Sequence, residues 1–183
     1  MSEELLVRHC SPTLAGIKTG NMFSCFFAGD IDMKKCIRCW NIQFTKKGLR
    51  VLPLRFYNNR ALIYVYRPAQ LRKDLWNNTA KEILRERGYI TNNSEQCVVH
   101  LRKRLSECDE FPHEVGLFLG YPPEDVQGFI ENKADSCKCI GCWKVYGNVN
   151  AAQEAFAKFK NCTDEYCSKF AEGKTIEQLA VAG

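Results

Sequence analysis

A pair of strand-like segments places the strongest constraint on how this chain can fold. Residues 49–57 and 61–67 are rich in apolar and β-branched side chains, and Asn58-Asn59 lies between them. Asparagine tolerates the positive φ angles that a tight turn requires, so the pattern predicts an antiparallel β-hairpin. Pro53 cannot donate a hydrogen bond to a neighbouring strand, which indicates an edge position or a bulge.

Helical and strand-like patterns alternate along the rest of the chain. We expect two more strands, at residues 22–28 and 143–146. Apolar spacing and capping residues predict helices at 4–8, 12–20, 30–44, 68–88, 94–108, 112–119, 122–132 and 151–170, with a terminal turn at 175–181. This order indicates an α/β fold with an α+β tendency, in which a single mixed sheet of about four strands packs against helices.

Length and charge limit the domain count and the class of partner. A chain of 183 residues with 45% hydrophobic residues is expected to form a single domain, residues 1–183, with a sizeable core. The net charge of +5 is mild, and the densest basic run, Arg102-Lys103-Arg104, has acidic residues in the neighbouring segments. That run is typical of a solvated helix face, so the sequence does not favour a nucleic-acid partner and leaves other partners open.

The start of the chain, its apolar runs and its cysteines together indicate the cellular compartment. The chain starts with the acidic segment Met1-Ser2-Glu3-Glu4, unlike a secretory signal, and no apolar run reaches the length of a membrane span. We therefore expect a cytoplasmic protein without a membrane span. Eleven cysteines in such a setting indicate thiols that bind a metal, react or lie buried, and not a disulfide framework.

The last cysteines of the chain form the first candidate site. Cys139 and Cys142 have the two-residue gap with which two thiolates bind one metal ion from a tight turn, and Gly141 eases that turn. Cys162 and Cys167 follow on the predicted last helix and supply further thiolates. The set predicts a zinc site or an iron–sulfur cluster. The alternative is a group of reduced cysteines, some of them simply buried.

Cys10 is the second candidate. If a helix begins at Pro12 with Ser11 as its cap, Cys10 lies just before a helix N-terminus, where backbone N–H groups stabilise a thiolate. A nucleophilic cysteine also needs a base and an orienting carboxylate, and His113-Glu114 could supply both. The alternative is that Cys10 is buried and Ser11-Pro12 only caps the helix.

Residues 117–126 form the most distinctive stretch of the sequence. Gly120 and Tyr121, followed by two prolines, predict a rigid corner between two helices. Glu124 and Asp125 fall in the first turn of the second helix, where negative charge complements the helix dipole. A tyrosine held on such a corner could also line a ligand pocket.

Four segments together carry a family resemblance. They are residues 8–20, 111–126, 143–147 and 160–163, which include the Arg8-His9-Cys10-Ser11-Pro12 start and the corner described above. The chain resembles, over nearly its whole length, domain of unknown function 3793, a family of anaerobic Gram-positive bacteria. The resemblance implies one complete domain, a cytoplasmic setting and an anaerobic host. It supplies no activity, cofactor or catalytic residue, so the chemistry is argued from the residues.

Three classes of function therefore remain open. The first is a thiolate metal-binding or iron–sulfur protein in metal or redox homeostasis, built on Cys139, Cys142, Cys162 and Cys167. The second is a cysteine-nucleophile enzyme that uses Cys10 with His113 and Glu114. The third is a non-catalytic binding or regulatory domain with ordinary cysteines. Cysteine density gives the first class a slight preference.

Overall fold

The computed structural model describes residues 3–26, 30–107, 110–133 and 135–183, and it leaves the side chains of residues 30–32 undescribed. The predicted strand end at Ala28 and the predicted helix end at Cys108 lie outside the described residues. The chain divides into two compact units, Met1–Ala69 with Asn161–Gly183, and Gln70–Lys160. The expectation of a single domain over residues 1–183 stays a prediction.

The first unit contains a three-stranded antiparallel sheet. Its strands are β1 (Gly20–Phe26), β2 (Arg50–Tyr57) and β3 (Arg60–Tyr66), in the order β1-β3-β2. The hairpin prediction is confirmed, because Asn58 and Asn59 form the turn with positive φ angles. The register shifts just after Pro53, at the bulge that its missing N–H group favours.

Helices cover one face of this sheet. They are α1 (Glu3–Leu14), α2 (Asp30–Phe44), the second half of α8 (Val149–Ala171) and the short α9 (Ile176–Leu179). Alternate strand residues enter the core that these helices close, including Phe23, Cys25, Val51, Ala61 and Ile63. The period-two alternation places the next residue of each strand on the opposite face.

Helix α1 differs from the prediction. One continuous helix runs through Pro12, whereas we predicted a break with Ser11 as the cap of a second helix. Pro12 lies in the last turn, where its missing N–H group deprives one carbonyl of a partner and where the helix ends two residues later. The Ser11 hydroxyl donates to the Val7 carbonyl within the helix, so Ser11 is not an N-cap.

The second unit is mostly helical and carries a small hairpin. Its helices are α3 (Pro68–Leu75), α4 (Asn78–Arg85), α5 (Ser94–Glu107), α6 (Val115–Phe118), α7 (Pro123–Asn132) and the first half of α8, with α3 beginning two residues before the unit. The predicted helix 68–88 is split at Asn77, whose side chain caps α4 by accepting from the Ala80 N–H group. Strands β4 (Cys139–Ile140) and β5 (Lys144–Val145) pair antiparallel.

The sheet prediction is thus partly wrong. The fold is mixed helix and strand, of the α+β kind, but the described residues form a three-stranded and a two-stranded sheet instead of one sheet of about four strands. All the strand pairs are antiparallel, so neither sheet is mixed. Across the described residues, no helix is both long enough and apolar enough to cross a membrane.

Candidate ligand-binding site

The helix-to-helix corner of the second unit is the starting point of the site. Helix α6 ends at Phe118, Gly120 adopts a φ of +75°, and Pro123 begins α7. The Tyr121 N–H group donates to the Gly116 carbonyl, which fixes the backbone of the corner. The predicted corner is therefore confirmed, and Gly120 provides the left-handed conformation that closes it.

Tyr121 connects this corner to the β4–β5 hairpin. Its hydroxyl donates to the Cys142 carbonyl at 3.2 Å. Its ring stacks on the indole of Trp143 with 4.8 Å between ring centroids. Burial, with a smaller contribution from Cys142, raises the pKa of Tyr121 to about 12. The phenol therefore stays protonated, as a hydrogen-bond donor, throughout the physiological pH range.

Asp125 is the residue that fixes the hairpin against α7. Its carboxylate is only 3% exposed. Oδ1 accepts from the backbone N–H groups of Tyr146 and Gly147, and Oδ2 accepts from Trp143 Nε1, all at 2.7 Å. Three donors to one buried carboxylate satisfy its charge without a cation. We predicted Asp125 only as a charge favourable to the helix dipole, which is a smaller role than the structure gives it.

The Trp143 side chain and its neighbours enclose an aromatic cavity of about 250 Å³. Its wall is mainly hydrocarbon, with these aromatic and aliphatic members: Phe111, Val115, Tyr121, Val126, Phe129 and Trp143. Besides Tyr121, its titratable lining residues are His113, Asp125 and Lys144. The His113 ring meets Phe129 edge to face at 4.9 Å, and Phe111 is 49% exposed, so the cavity reaches the surface.

Gly141 matters to this site for a reason other than the predicted one. An added Cβ atom at Gly141 would overlap the ring of Phe156, so no residue with a side chain fits there without displacing that ring. Phe156 in turn packs edge to face on Trp143, with 4.5 Å between centroids. The glycine of the Cys139–Cys142 segment thus lets the hairpin pack against the ring that supports the cavity wall.

The comparison with family models covers most of the chain, including the corner, the hairpin and the cavity. Residues 6–180 match the model described as "Protein of unknown function (DUF3793)". The chain belongs to this family. No curated protein and no solved structure matches it. The family resemblance drawn from the sequence is therefore confirmed. Because the family has no assigned function, the function of this DUF3793 member is inferred from its geometry.

Glu114, predicted as a catalytic helper, lies in a buried network of this DUF3793 protein. It is 1% exposed, its Oε1 accepts from the Tyr89 hydroxyl at 2.9 Å, and Arg104 Nε lies 2.7 Å from the same oxygen. Arg87 Nε lies 3.7 Å from Oε2. Burial and the Glu114 charge both raise the pKa of Tyr89 above its usual range. Glu114 therefore anchors the start of α6, while its neighbour His113 lines the cavity.

Cys10 is placed differently from the prediction. It lies in the third turn of α1, fully buried in the core of the first unit, and not before a helix N-terminus. Burial raises the pKa of its thiol well above the usual range, and nearby Lys18 opposes this only in part. His113 and Glu114 belong to the second unit. The structural premise for a nucleophilic Cys10 is wrong, and the structure gives the role no support.

We expect Cys10 to resist alkylation in the folded protein. Iodoacetamide at about pH 8 attacks thiolates, and an exposed ordinary thiol is partly ionised there. Cys39 and Cys142 are exposed and should react first, whereas Cys10 should react only after unfolding. Peptide mass mapping of native and urea-unfolded samples measures this order. Rapid native labelling of Cys10 would restore the nucleophile hypothesis.

The predicted metal ligands are divided between the two units. Cys139 and Cys142 lie on the hairpin of the second unit, and Cys162 and Cys167 on the half of α8 that belongs to the first. Cys162 is buried in the core of the first unit. Among the described residues, no three or more His, Cys, Asp or Glu side chains form a group that could hold a metal ion. The zinc or iron–sulfur hypothesis gains no support from this arrangement.

Sequence reasoning missed the wall of the cavity. Phe111 and Phe129 were not singled out, and the partners of Asp125 lie 18 to 22 residues further along the chain. One local signal was present, because Asp125 directly precedes Val126 on the face of α7 that the fold buries. A carboxylate within a buried helix face needs donors, and these had to come from another segment.

Proposed function

We propose that this DUF3793 member is a binding domain whose ligand is a planar aromatic molecule with a negatively charged substituent. The observation that carries the proposal is the aromatic cavity bounded by the α6–α7 corner and the β4–β5 hairpin. A concave, mainly apolar site with a few convergent polar groups is the usual form of a small-molecule site. This corresponds to the third functional class that the sequence left open.

The shape of the lining supports a flat ligand. Rings of Phe111, Tyr121, Phe129 and Trp143 contribute to the wall. Aromatic rings interact favourably with other rings in offset-stacked and edge-to-face arrangements, which adds to the free energy of burying apolar surface. A volume of about 250 Å³ suits one or two fused rings better than a larger cofactor.

The charges of the lining support an anionic substituent. Asp125 accepts three hydrogen bonds from within the wall, so its negative charge is already compensated. Lys144 contributes a positive charge to the lining. His113 Nε2 lies 3.7 Å from a carboxylate oxygen of Glu110, so this pair adds no net positive charge. A carboxylate or sulfonate on the ligand would therefore meet a favourable field at this cavity.

Binding of 2-naphthoate tests the proposal. The probe is titrated into protein in which Trp40 and Trp76 are replaced by phenylalanine, so that only Trp143 of the three tryptophans fluoresces. We expect saturable quenching, weaker binding of the neutral 2-naphthamide, and a roughly tenfold loss of affinity in Phe129→Ala, the equivalent of about 1.4 kcal/mol for one ring contact.

A truncation outside the cavity provides the matched control. Ile90 belongs to the same unit and is 60% exposed, so Ile90→Ala should leave the naphthoate affinity unchanged. The proposal fails if naphthoate gives no saturable quenching, or if Phe129→Ala and Ile90→Ala bind it equally well. Stoichiometric zinc or iron in anaerobically purified protein, lost in Cys139→Ser, would support the metal class instead.

A further inference from the structure

A row of aromatic and arginine side chains crosses the three-stranded sheet at its hairpin end. Phe26 of β1 and Tyr57 of β2 both pair with Arg60 of β3. Directly paired residues share a face of the sheet. Phe26 is 69% exposed and Tyr57 is 63% exposed, so two large rings flank a guanidinium in solvent.

The next row on the same face continues the pattern. Two positions along each strand from the first row, Ser24 of β1 and Arg55 of β2 both pair with Leu62 of β3. The intervening row, which includes Cys25 and Ala61, faces the core. We call the exposed set the tip face, and it is formed by these side chains: Ser24, Phe26, Arg55, Tyr57 and Arg60.

Contacts within the tip face hold both guanidinium groups against rings. The Arg60 guanidinium carbon lies 4.4 Å from the centroid of Phe26, and Arg60 Nε donates to the Ser24 hydroxyl at 3.0 Å. The Arg55 guanidinium carbon lies 5.4 Å from the centroid of Tyr57. These cation–π contacts order two side chains that would otherwise rotate freely, and this lowers the entropy cost of binding an anion.

The charge of the sequence that includes β2 and β3 is one-sided. Between residues 33 and 69 the chain has no aspartate or glutamate, and it has nine basic residues: Lys34, Lys35, Arg38, Lys46, Lys47, Arg50, Arg55, Arg60 and Arg67. The mild overall charge of +5 conceals this, because the 21 acidic residues lie elsewhere in the sequence. The short basic run at residues 102–104 did not favour a nucleic-acid partner, whereas this longer stretch contains no acidic residue to offset its positive charge.

We infer that the tip face binds single-stranded nucleic acid. Exposed rings on a sheet surface stack with bases, and arginines beside them bind the phosphates. Bases of a duplex are already stacked on one another, so the rings select single strands. Aromatic and arginine side chains are also common at protein–protein interfaces. The absence of acidic residues over this stretch nevertheless favours a polyanion over a protein partner.

Fluorescence anisotropy with labelled oligo(U) and oligo(dT) of about 12 nucleotides tests the inference, since one such surface covers roughly 4–16 nucleotides. We expect the full-length protein to bind both at low salt. Tyr57→Ala and Phe26→Ala should each weaken binding by about fivefold or more, the lower end for one stacked base. Arg60→Gln should reduce the slope of log K against log salt by about 0.7, the value for one phosphate contact.

Two controls match these variants. Arg50→Gln removes the same charge from the same acid-free stretch, but Arg50 lies at the far end of β2, so it should leave the affinity nearly unchanged. Trp76→Ala removes an exposed ring outside the tip face, so it should also leave the affinity nearly unchanged. The inference is overturned if Arg50→Gln and Arg60→Gln have equal effects, if a duplex binds as well as a single strand, or if only vesicles of anionic lipid are bound.

Discussion

Replacing Arg67 with alanine is expected to lower the free energy of unfolding by about 3–5 kcal/mol, because several charge-assisted hydrogen bonds of a buried guanidinium are lost together. Arg67 is 3% exposed. Its Nε atom donates to the Thr13 carbonyl, and its Nη2 atom donates to the carbonyls of Leu14 and Val181, all at 2.8 Å. A fourth, longer bond joins Nη1 to the Lys47 carbonyl at 3.3 Å.

The size of this effect follows from what alanine would leave behind. The carbonyls of Thr13 and Leu14 end helix α1, and each also accepts one backbone N–H group, from Gly16 and Val181 respectively. The guanidinium caps them and ties the C-terminal segment to the same point, and its positive charge complements the negative end of the helix dipole. Alanine removes all the hydrogen bonds of the guanidinium at once, and each bond to such a charged group contributes about 1.5–3 kcal/mol, less where water enters.

Urea unfolding followed by circular dichroism measures the loss. Arg67→Lys keeps the charge but not the fork of donors, so it should fall between wild type and Arg67→Ala. Arg8→Ala removes an exposed arginine from α1 and should change the unfolding free energy by less than about 0.5 kcal/mol. Arg67→Ala as stable as Arg8→Ala would show that this network contributes little.

Local signals were sufficient for much of the first unit. The β2–β3 hairpin follows from Asn58 and Asn59, whose positive φ angles join the two strands. Helix α2 begins and ends where apolar spacing placed it. Pro12 could not be interpreted in this way, because proline favours a helix start but is also tolerated in the last turn of a helix that long-range contacts stabilise.

The pairing of the strands could not be predicted from local sequence signals. Strand β1 pairs with β3 and not with β2, a choice made by contacts more than 30 residues apart. Strand β4 consists of Cys139 and Ile140 alone, which is too short for a period-two pattern to appear in the sequence. We predicted a single mixed sheet wrongly because the spacing of side chains along the chain does not specify which strands pair.

The same distinction applies to the candidate site. The corner at Gly120 and Tyr121 is a local feature and was predicted, together with a pocket-lining tyrosine. The cavity exists because α7 meets a hairpin that begins seven residues after it ends. Thiol chemistry drew attention to Cys139 and Cys142, but in the structure it is Trp143 beside them that lines the cavity.

The Asp125→Asn substitution is expected to destabilise the protein by about 2–4 kcal/mol, because charge-assisted hydrogen bonds contribute about 1.5–3 kcal/mol each and some would survive. An asparagine oxygen can still accept from the N–H groups of Tyr146 and Gly147. Its NH₂ group would then face Trp143 Nε1, which is also a donor. Two opposed donors in a buried site force the indole or the hairpin to move.

A control variant and a double-mutant cycle separate the effect of the Asp125 hydrogen bonds from a general loss of stability. Urea unfolding gives the free energy, and Glu124→Gln, an exposed neighbour in the same helical turn, should change it by less than about 0.5 kcal/mol. In a double-mutant cycle, Asp125→Asn should cost less when Trp143 is already phenylalanine, since the opposed donor is gone. Additive losses would show that Trp143 and Asp125 act independently.

Below the unfolding transition, Asp125→Asn should shift Trp143 emission to the red and weaken naphthoate binding, because the cavity wall and its hairpin depend on the same carboxylate.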